Sequence, residues 1–320
     1  MVVAQLCIRA QSCGVTRPFR RVMTTATGSG TAPKARWWMP GATAVVTGAN
    51  KGIGFDIARR LAEEGFAVKL TARTDTAGSD AVARLTKAVP QLAAPPAYYL
   101  LDQRDPASVE ALGAALECDC PAGVDLLICN AGLAFPEGTL GAGEALESIA
   151  VNYTGTALVC ERLMPLMLAS AAASSGAKPR IVTVCSGAGK LDILSSEATR
   201  RRFDESKTRA EVDALMAEFV QSIRDGTHEE LFCNDLYGMS KLGMAVYTRV
   251  LARELGEHAL VTAVCPGYCA TDLTVVRDGQ IATDGYQSSA VGADTPVWAA
   301  LLPAETATGQ FFSERTPQPF

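Results

Sequence analysis

Histidine is nearly absent: the chain has only His228 and His258. A Ser-His-Asp hydrolase needs a histidine set among its partners, and two histidines leave little room for one. Ten cysteines are present, at 7, 13, 118, 120, 129, 160, 185, 233, 265 and 269, yet none forms a Cys-x-x-Cys pair. With so few histidines beside them, that spacing argues against a zinc site, and no metal is expected. Cys129, Cys185 and Cys265 fall in or at the end of apolar runs and read as small buried hydrophobes of a reducing compartment. No apolar run approaches the roughly 20 residues that span a bilayer, so no membrane association is expected. A strong charge of either sign is also missing. The net charge of −5 gives no reason to expect a nucleic-acid partner.

Acidic residues are missing from one place in particular. None occurs before Asp56, while Arg9, Arg17, Arg20, Arg21, Lys34 and Arg36 are spread through the same stretch with several Ser and Thr. This composition resembles an organelle transit peptide, and reads otherwise as a basic tail. The opening Val-Val-Ala-Gln-Leu-Cys-Ile is too short for a secretory signal. Residues 1–38 are therefore set apart as an N-terminal extension. The expected location is the cytoplasm, or a plastid or mitochondrion if the extension is a transit peptide.

What remains, residues 39–320, is apolar enough for a sizeable core: 48% of the whole chain is hydrophobic and 20% charged. From Ala42 onward, strand-like and helix-like segments alternate. Ala42–Thr47, Ala67–Thr71, Tyr98–Leu101, Leu126–Cys129, Arg180–Cys185 and Val261–Cys265 are short apolar runs, each followed by turn residues. Such alternation predicts an α/β fold, a doubly wound parallel sheet of the Rossmann type in one domain. Uninterrupted apolar strands are what a sheet covered on both faces requires. One stretch breaks the rhythm. About 188–235 shows no strand signal, and Val212, Leu215, Met216, Phe219 and Ile223 recur at helical spacing. It reads as a helical insertion that packs one apolar stripe onto the body.

The run Val45-Val46-Thr47-Gly48-Ala49-Asn50-Lys51-Gly52-Ile53-Gly54 ends a strand and opens a helix. Glycines let backbone approach a pyrophosphate, and the helix start offers it free N–H groups. Gly48, Asn50, Lys51, Gly52, Ile53 and Gly54 are thus expected to hold a dinucleotide. The second strand ends at Thr71-Ala72-Arg73, where an NAD enzyme usually places an acid for the ribose hydroxyls. Ala72 cannot do this, whereas Arg73 and Lys51 can embrace a 2′-phosphate. The cofactor expected is NADP(H). Asp102, ending the third strand, is either a partner for the adenine amino group or the N-cap of the next helix.

Tyr237-Gly-Met-Ser-Lys241 puts a phenol and an ammonium on one helix face. A nearby ammonium favours the phenolate and lowers a pKa that is otherwise about 10.

The motif order is Thr47-Gly48-x-x-x-Gly52-x-Gly54, Asn130-Ala131-Gly132, Asn152, Ser186, Tyr237-x-x-x-Lys241, then Pro266-Gly267 and Thr271. It resembles the short-chain dehydrogenase/reductase family from Ala42 to the C-terminus. Asn-Lys-Gly-Ile-Gly, Thr-Ala-Arg, Val-Asn-Tyr-Thr-Gly-Thr, Tyr-Gly-Met-Ser-Lys and the long Ser-to-Tyr insertion resemble its monomeric carbonyl reductases. Plant reductases of menthone-like and alkaloid ketones share these features. The resemblance implies that Tyr237 protonates the carbonyl oxygen, and that Lys241 lowers its pKa and binds the nicotinamide ribose. It further implies that Ser186 polarises the carbonyl and that Asn152 holds a water linking Lys241 to solvent. Asn130 would stabilise the sheet beside the cofactor, and Pro266, Gly267 and Thr271 would border the nicotinamide. The chain departs from the family pattern at Cys185 and Cys129, which stand where a first Ser and a first Asn are usual.

The expected activity is NADPH-dependent reduction of aldehyde, ketone or quinone carbonyls in a small-molecule substrate. The alternatives are an NADP-dependent secondary-alcohol dehydrogenase of a specialised metabolite and a catalytically silent NADP-binding regulator. Loops around 133–145, 187–236 and 268–290 are expected to set specificity. A monomer is expected, with the insertion lying over helices that pair two-fold in shorter family members.

Overall fold

Val45 and Val46 are neighbours in the first strand and are both fully buried. One packs with the core on one face of the sheet and the other with the core on the opposite face. Successive side chains of a strand point to opposite faces, so an all-apolar strand calls for cover on both sides. The computed structural model, which describes residues 36–136, 138–173, 177–274 and 285–320, supplies that cover.

The strands are β1 (Thr43–Val46), β2 (Ala67–Ala72), β3 (Ala97–Leu100), β4 (Leu126–Cys129), β5 (Arg180–Val184), β6 (Leu260–Cys265), β7 (Gln310–Ser313) and β8 (Thr316–Gln318). They form one eight-stranded sheet in the order β3-β2-β1-β4-β5-β6-β7-β8. All neighbours are parallel except β7 and β8. The first six correspond to the strands expected from sequence, and the chain folds as the doubly wound Rossmann-type sheet that the alternation predicted. β7 and β8 carried no usable strand signal: Phe311 and Phe312 are both buried, and β8 is a short edge ribbon.

Helices α1 (Gly52–Glu63), α2 (Asp75–Ala88), α3 (Pro106–Asp119), α4 (Ala142–Ile149) and α5 (Gly155–Ala173) follow the first four strands. The insertion comprises α6 (Glu197–Glu205), α7 (Arg209–Asp225) and the single turn α8 (His228–Leu231), and leads into α9 (Leu236–Leu255). Two short helices, α10 (Ser289–Gly292) and α11 (Asp294–Ala300), precede β7. Ile57, Leu61, Leu85 and Val297, from α1, α2 and α11, pack on the Val46 face, while Leu116, Leu163 and Val246, from α3, α5 and α9, pack on the Val45 face.

The insertion is built from strong local signals. Thr208 and Glu211 form a capping box at the start of α7, and Gly226 ends it with φ +71°. Val212, Leu215, Met216 and Phe219 are buried as their spacing predicts, joined by Val220, while Ile223 is only partly buried. The stripe lies against α4 and α9.

The boundary drawn at residue 38 shifts inward. Trp38 is buried, stacks on Phe66 with ring centroids 5.4 Å apart, and donates Nε1 to the Glu64 carbonyl at 3.1 Å. Trp37 lies 4.1 Å over the guanidinium of Arg180 and donates to the Ala300 carbonyl at 3.0 Å. Arg180 is itself buried at the start of β5 and bonds the carbonyls of Ala300 and Leu302. Burial pulls its pKa down to about 9. A chain that begins at Trp37 is expected to keep its melting temperature. Trp38→Ala is expected to cost about 3–5 kcal/mol, the usual loss for a buried aromatic. Thermal unfolding of the two proteins checks this, and an unchanged transition for Trp38→Ala would remove Trp38 from the core. The rest of the 1–38 segment, residues 1–35, lies outside the described residues.

Candidate active site

The glycine turn joins β1 to α1 across the end of β4. Gly48 has φ +61°, and a Cβ there would sit 2.9 Å from the Ala131 Cα. A Cβ on Gly54 would sit 2.4 Å from Asn130 Nδ2 and 2.5 Å from the Gly48 carbonyl oxygen. Neither position tolerates a side chain without moving backbone. Asn130 closes the arrangement: its Nδ2 donates to the carbonyls of Thr47 at 3.0 Å and Gly48 at 3.2 Å. Thr47 Oγ1 in turn accepts from the amides of Asn130 and Ala131, both at 3.0 Å. Lys51 is the N-cap of α1, with no side-chain cap and no acid in the first turn. The helix start therefore offers uncompensated amides and positive potential to an anion.

A cavity of about 550 Å³ runs over this turn. Its lining includes Gly48, Asn50, Lys51, Gly52, Ile53, Gly54, Arg73, Asp102, Asn130, Tyr237, Lys241, Pro266 and Thr271. One cavity thus gathers most residues picked from sequence. Asn152, Ser186 and Gly267 stand behind or beside it. Gly267 has φ +80°, and a Cβ there would meet Gln287 Nε2 at 2.6 Å.

At the Arg73 end, β2 finishes at Ala72 with no acid. Among the described residues Arg73 has no carboxylate within ion-pair distance. Lys51 differs: its ammonium is paired with Asp272 on the opposite bank, both groups being more than half exposed. Asp102 is clamped by Arg104, whose Nη2 and Nε lie 2.6 and 3.0 Å from its two oxygens. This fork holds the carboxylate below its usual range. Asp102 is not a helix cap. Asp105 takes that place, accepting from the Ala107 amide at 2.9 Å.

At the other end, Asp235 caps α9 by accepting from Gly238 N at 2.9 Å, which starts the helix just ahead of Tyr237. Tyr237 and Lys241 then share a face, the ammonium 5.6 Å from the phenol ring centroid. Lys241 is buried and donates to the Val184 carbonyl at 2.9 Å. Burial pulls its pKa down. The Tyr237 phenol moves opposite to the sequence expectation. Tyr237 keeps some exposure toward the cavity, yet the protein packed round its hydroxyl pushes its pKa up, and the nearby Ser186 hydroxyl only partly offsets this. Desolvation leads because a phenolate loses more hydration than a phenol, and the Asp235 carboxylate adds to the rise. Cys185, beside Ser186, is buried and its thiol is pushed up to about 11, so it is not a nucleophile.

Asn152 lies in a π-helical turn, Ala150–Thr154, between α4 and α5. It is fully buried, accepts from Leu133 N at 2.7 Å, and donates to Leu133 O and Ser240 Oγ, both at 2.8 Å.

Residues 42–198 match the short chain dehydrogenase family. Carbonyl reductase [NADPH] 1 of Rattus norvegicus is 35% identical over 293 residues, covering 87% of this chain and 98% of the relative. The chain belongs to the short-chain dehydrogenase family. Another relative, (+)-neomenthol dehydrogenase of Arabidopsis thaliana, is 33% identical over 306 residues, covering 87% of this chain and 97% of the relative. Among solved structures, salutaridine reductase from Papaver somniferum superposes with a TM-score of 0.73 at 27% identity, covering 85% of this chain and 99% of that one.

This short-chain dehydrogenase uses several residues that no sequence pattern singled out. Thr71 Oγ1 accepts from Gly48 N at 3.1 Å and fixes the turn from β2. Arg104 holds Asp102, and Ser240 links Asn152 to α9 by donating to the Tyr237 carbonyl at 2.8 Å. Ser240 and Thr71 had readable signals, one in its place between Tyr237 and Lys241 and the other at the head of Thr71-Ala72-Arg73. Arg104 lies in a loop, where periodicity carries no information. Among the described residues no cluster of three or more metal-ligating side chains occurs.

Proposed function

We propose that this protein reduces aldehyde, ketone or quinone carbonyls with NADPH, with Tyr237 as proton donor. One observation carries the reading: a single cavity is lined by Tyr237 and Lys241 and also by a glycine cradle with Arg73. The cradle suits a dinucleotide, since a Cβ at Gly48 or Gly54 would collide with backbone or Asn130. Arg73 and Lys51, with no acid at the end of β2, suit a 2′-phosphate. The relatives named for NADPH-dependent carbonyl reduction support the same choice. NADPH would supply the hydride. The chain's part is to hold a proton and donors where the alkoxide forms. Tyr237 releases its hydroxyl proton to that oxygen, and Ser186 donates a hydrogen bond beside it. Lys241, anchored by the Val184 carbonyl, would meet the nicotinamide ribose, and Asn152 behind it would hold the water that links it to solvent.

The raised phenol pKa sets a direction. A donor must be protonated, so reduction should stay level through neutral pH and decline only as pH climbs into the alkaline range. Alcohol oxidation needs the phenolate and should grow with pH. Initial rates in both directions, with a panel of ketones, aldehydes and quinones, check this. Reduction that already falls between pH 6 and 8 would contradict it, and no NADPH consumption with any carbonyl would favour a silent NADP-binding regulator. The neomenthol dehydrogenase relative favours a second reading, oxidation of a specialised secondary alcohol by the same residues.

We also infer a monomer, in the cytoplasm or, if residues before Trp37 act as a transit peptide, in a plastid or mitochondrion. α7 buries its stripe on α4 and α9, which leaves α9 without a free face for a two-fold contact. Sedimentation at micromolar concentration should give a species of one chain mass. A stable species of twice that mass would overturn it.

A further inference from the structure

We propose that Asp213, acting through Tyr153, is a positioning residue for Asn152, so that the insertion helix α7 sets the geometry of the proton relay. This rests on the reading of Asn152 given above. The π turn Ala150–Thr154 carries Asn152 and Tyr153 side by side, both buried. Asn152 bonds toward Leu133 and Ser240, while Tyr153 bonds toward the insertion. Any rotation of the turn that moves one moves the other.

A π turn adds a residue to the helical ring and leaves backbone groups in need of partners, which is why it persists only where its surroundings hold it. Here it is held from two sides. From the sheet side, Gln103 Nε2 donates to the Val151 carbonyl at 2.8 Å and to Thr156 Oγ1 at 3.0 Å. Gly155 permits that approach, since a Cβ there would sit 2.3 Å from the Gln103 carbonyl oxygen. From the insertion side, the Tyr153 hydroxyl donates to Asp213 Oδ1 at 2.6 Å. Arg209, one turn earlier on α7, lies 3.5 Å from the other oxygen of Asp213 and also pairs with Glu161 of α5. A Cβ on Gly243 would meet Met216 at 2.9 Å and the Tyr153 ring at 3.4 Å, so α7, α9 and the π turn converge at a residue with no side chain. The chain of bonds then continues from Asn152 to Ser240 and from Ser240 to the Tyr237 carbonyl, each step 2.8 Å.

A bond that merely anchored the insertion would affect stability and leave the chemical step alone. A positioning role changes turnover, because small misplacements of a catalytic group are costly. The test compares kcat, KM for NADPH and melting temperature for Asn152→Ala, Tyr153→Phe, Asp213→Ala, Asp213→Asn and the double variant Asp213→Ala/Asn152→Ala. Tyr153→Phe and Asp213→Ala should each lower kcat about tenfold with KM for NADPH within about twofold. Asp213→Asn, whose amide oxygen still accepts the phenol proton, should restore kcat to within about twofold. In the Asn152→Ala background, Asp213→Ala should add nothing, the signature of two residues acting through one route. Where Asp213→Ala does not fold, Tyr153→Phe carries the same comparison with Asn152→Ala, since it keeps the ring, whose centroid lies 6.2 Å from that of Tyr247 on α9. Unchanged kcat in Tyr153→Phe, or losses that multiply in the double variant, overturn the proposal. Full turnover in Asn152→Ala instead sinks the relay reading, and this proposal falls with it.

Discussion

Replacing Tyr237 by Phe is expected to lower turnover at least about a hundredfold, within the usual range for loss of a general acid. The substitution removes one oxygen and leaves the ring. Lys241 keeps its bond to the Val184 carbonyl, and Asn152 keeps its three hydrogen bonds to Leu133 and Ser240, since none involves the phenol. NADPH affinity, followed by fluorescence titration, should therefore change little. The loss should fall on kcat and be deeper for reduction at neutral pH, where the raised pKa keeps the native phenol protonated. A Phe variant that turns over at a near-normal rate would remove Tyr237 from the mechanism.

The second large effect is expected in cofactor choice. Charge-assisted hydrogen bonds are worth roughly 1.5–3 kcal/mol each, and about 1.4 kcal/mol is tenfold in affinity. Arg73 lines the cavity and, among the described residues, has no carboxylate to leave when a phosphate arrives. Lys51 must first give up Asp272. Arg73→Ala should then cost about ten- to a hundredfold of the preference for NADPH over NADH, and Lys51→Ala less. The double variant should erase most of it. The ratio of kcat/KM for the two cofactors is the measurement. A wild-type protein that already prefers NADH would show that the missing acid at Ala72 had been misread.

Much of this site could be read in advance because its signals are local. The glycine turn, the Tyr237–Lys241 spacing and Ala72-Arg73 each occupy a few consecutive residues whose chemistry needs no knowledge of the rest. What could not be read depends on distance or burial. Asp272 and Lys51 meet across the cavity with over two hundred residues between them. The Tyr237 pKa turned on desolvation, which residue types on one helix face do not reveal. The π turn at Asn152 hardly disturbs helical periodicity, so the segment reads as an ordinary helix. β7 was hidden because its apolar run is only two residues long, Phe311 and Phe312 between Gln310 and Ser313. Trp37 and Trp38 follow Lys34 and Arg36 directly, and no acid or periodic pattern marks where the basic stretch gives way to the fold.

The Trp37 contact also fixes an order of events. Trp37 and Arg180 both donate to the Ala300 carbonyl, and Arg180 reaches on to Leu302. The first two cannot form until residue 300 has been made, nor the third until residue 302. On a ribosome, the Trp37–Arg180 half of the anchor therefore closes after β1 to β6 have been synthesised, whereas Trp38 needs only Glu64 and Phe66. Once the loop after α11 has docked, a cut beyond Trp38 would have to tear an indole from a buried guanidinium.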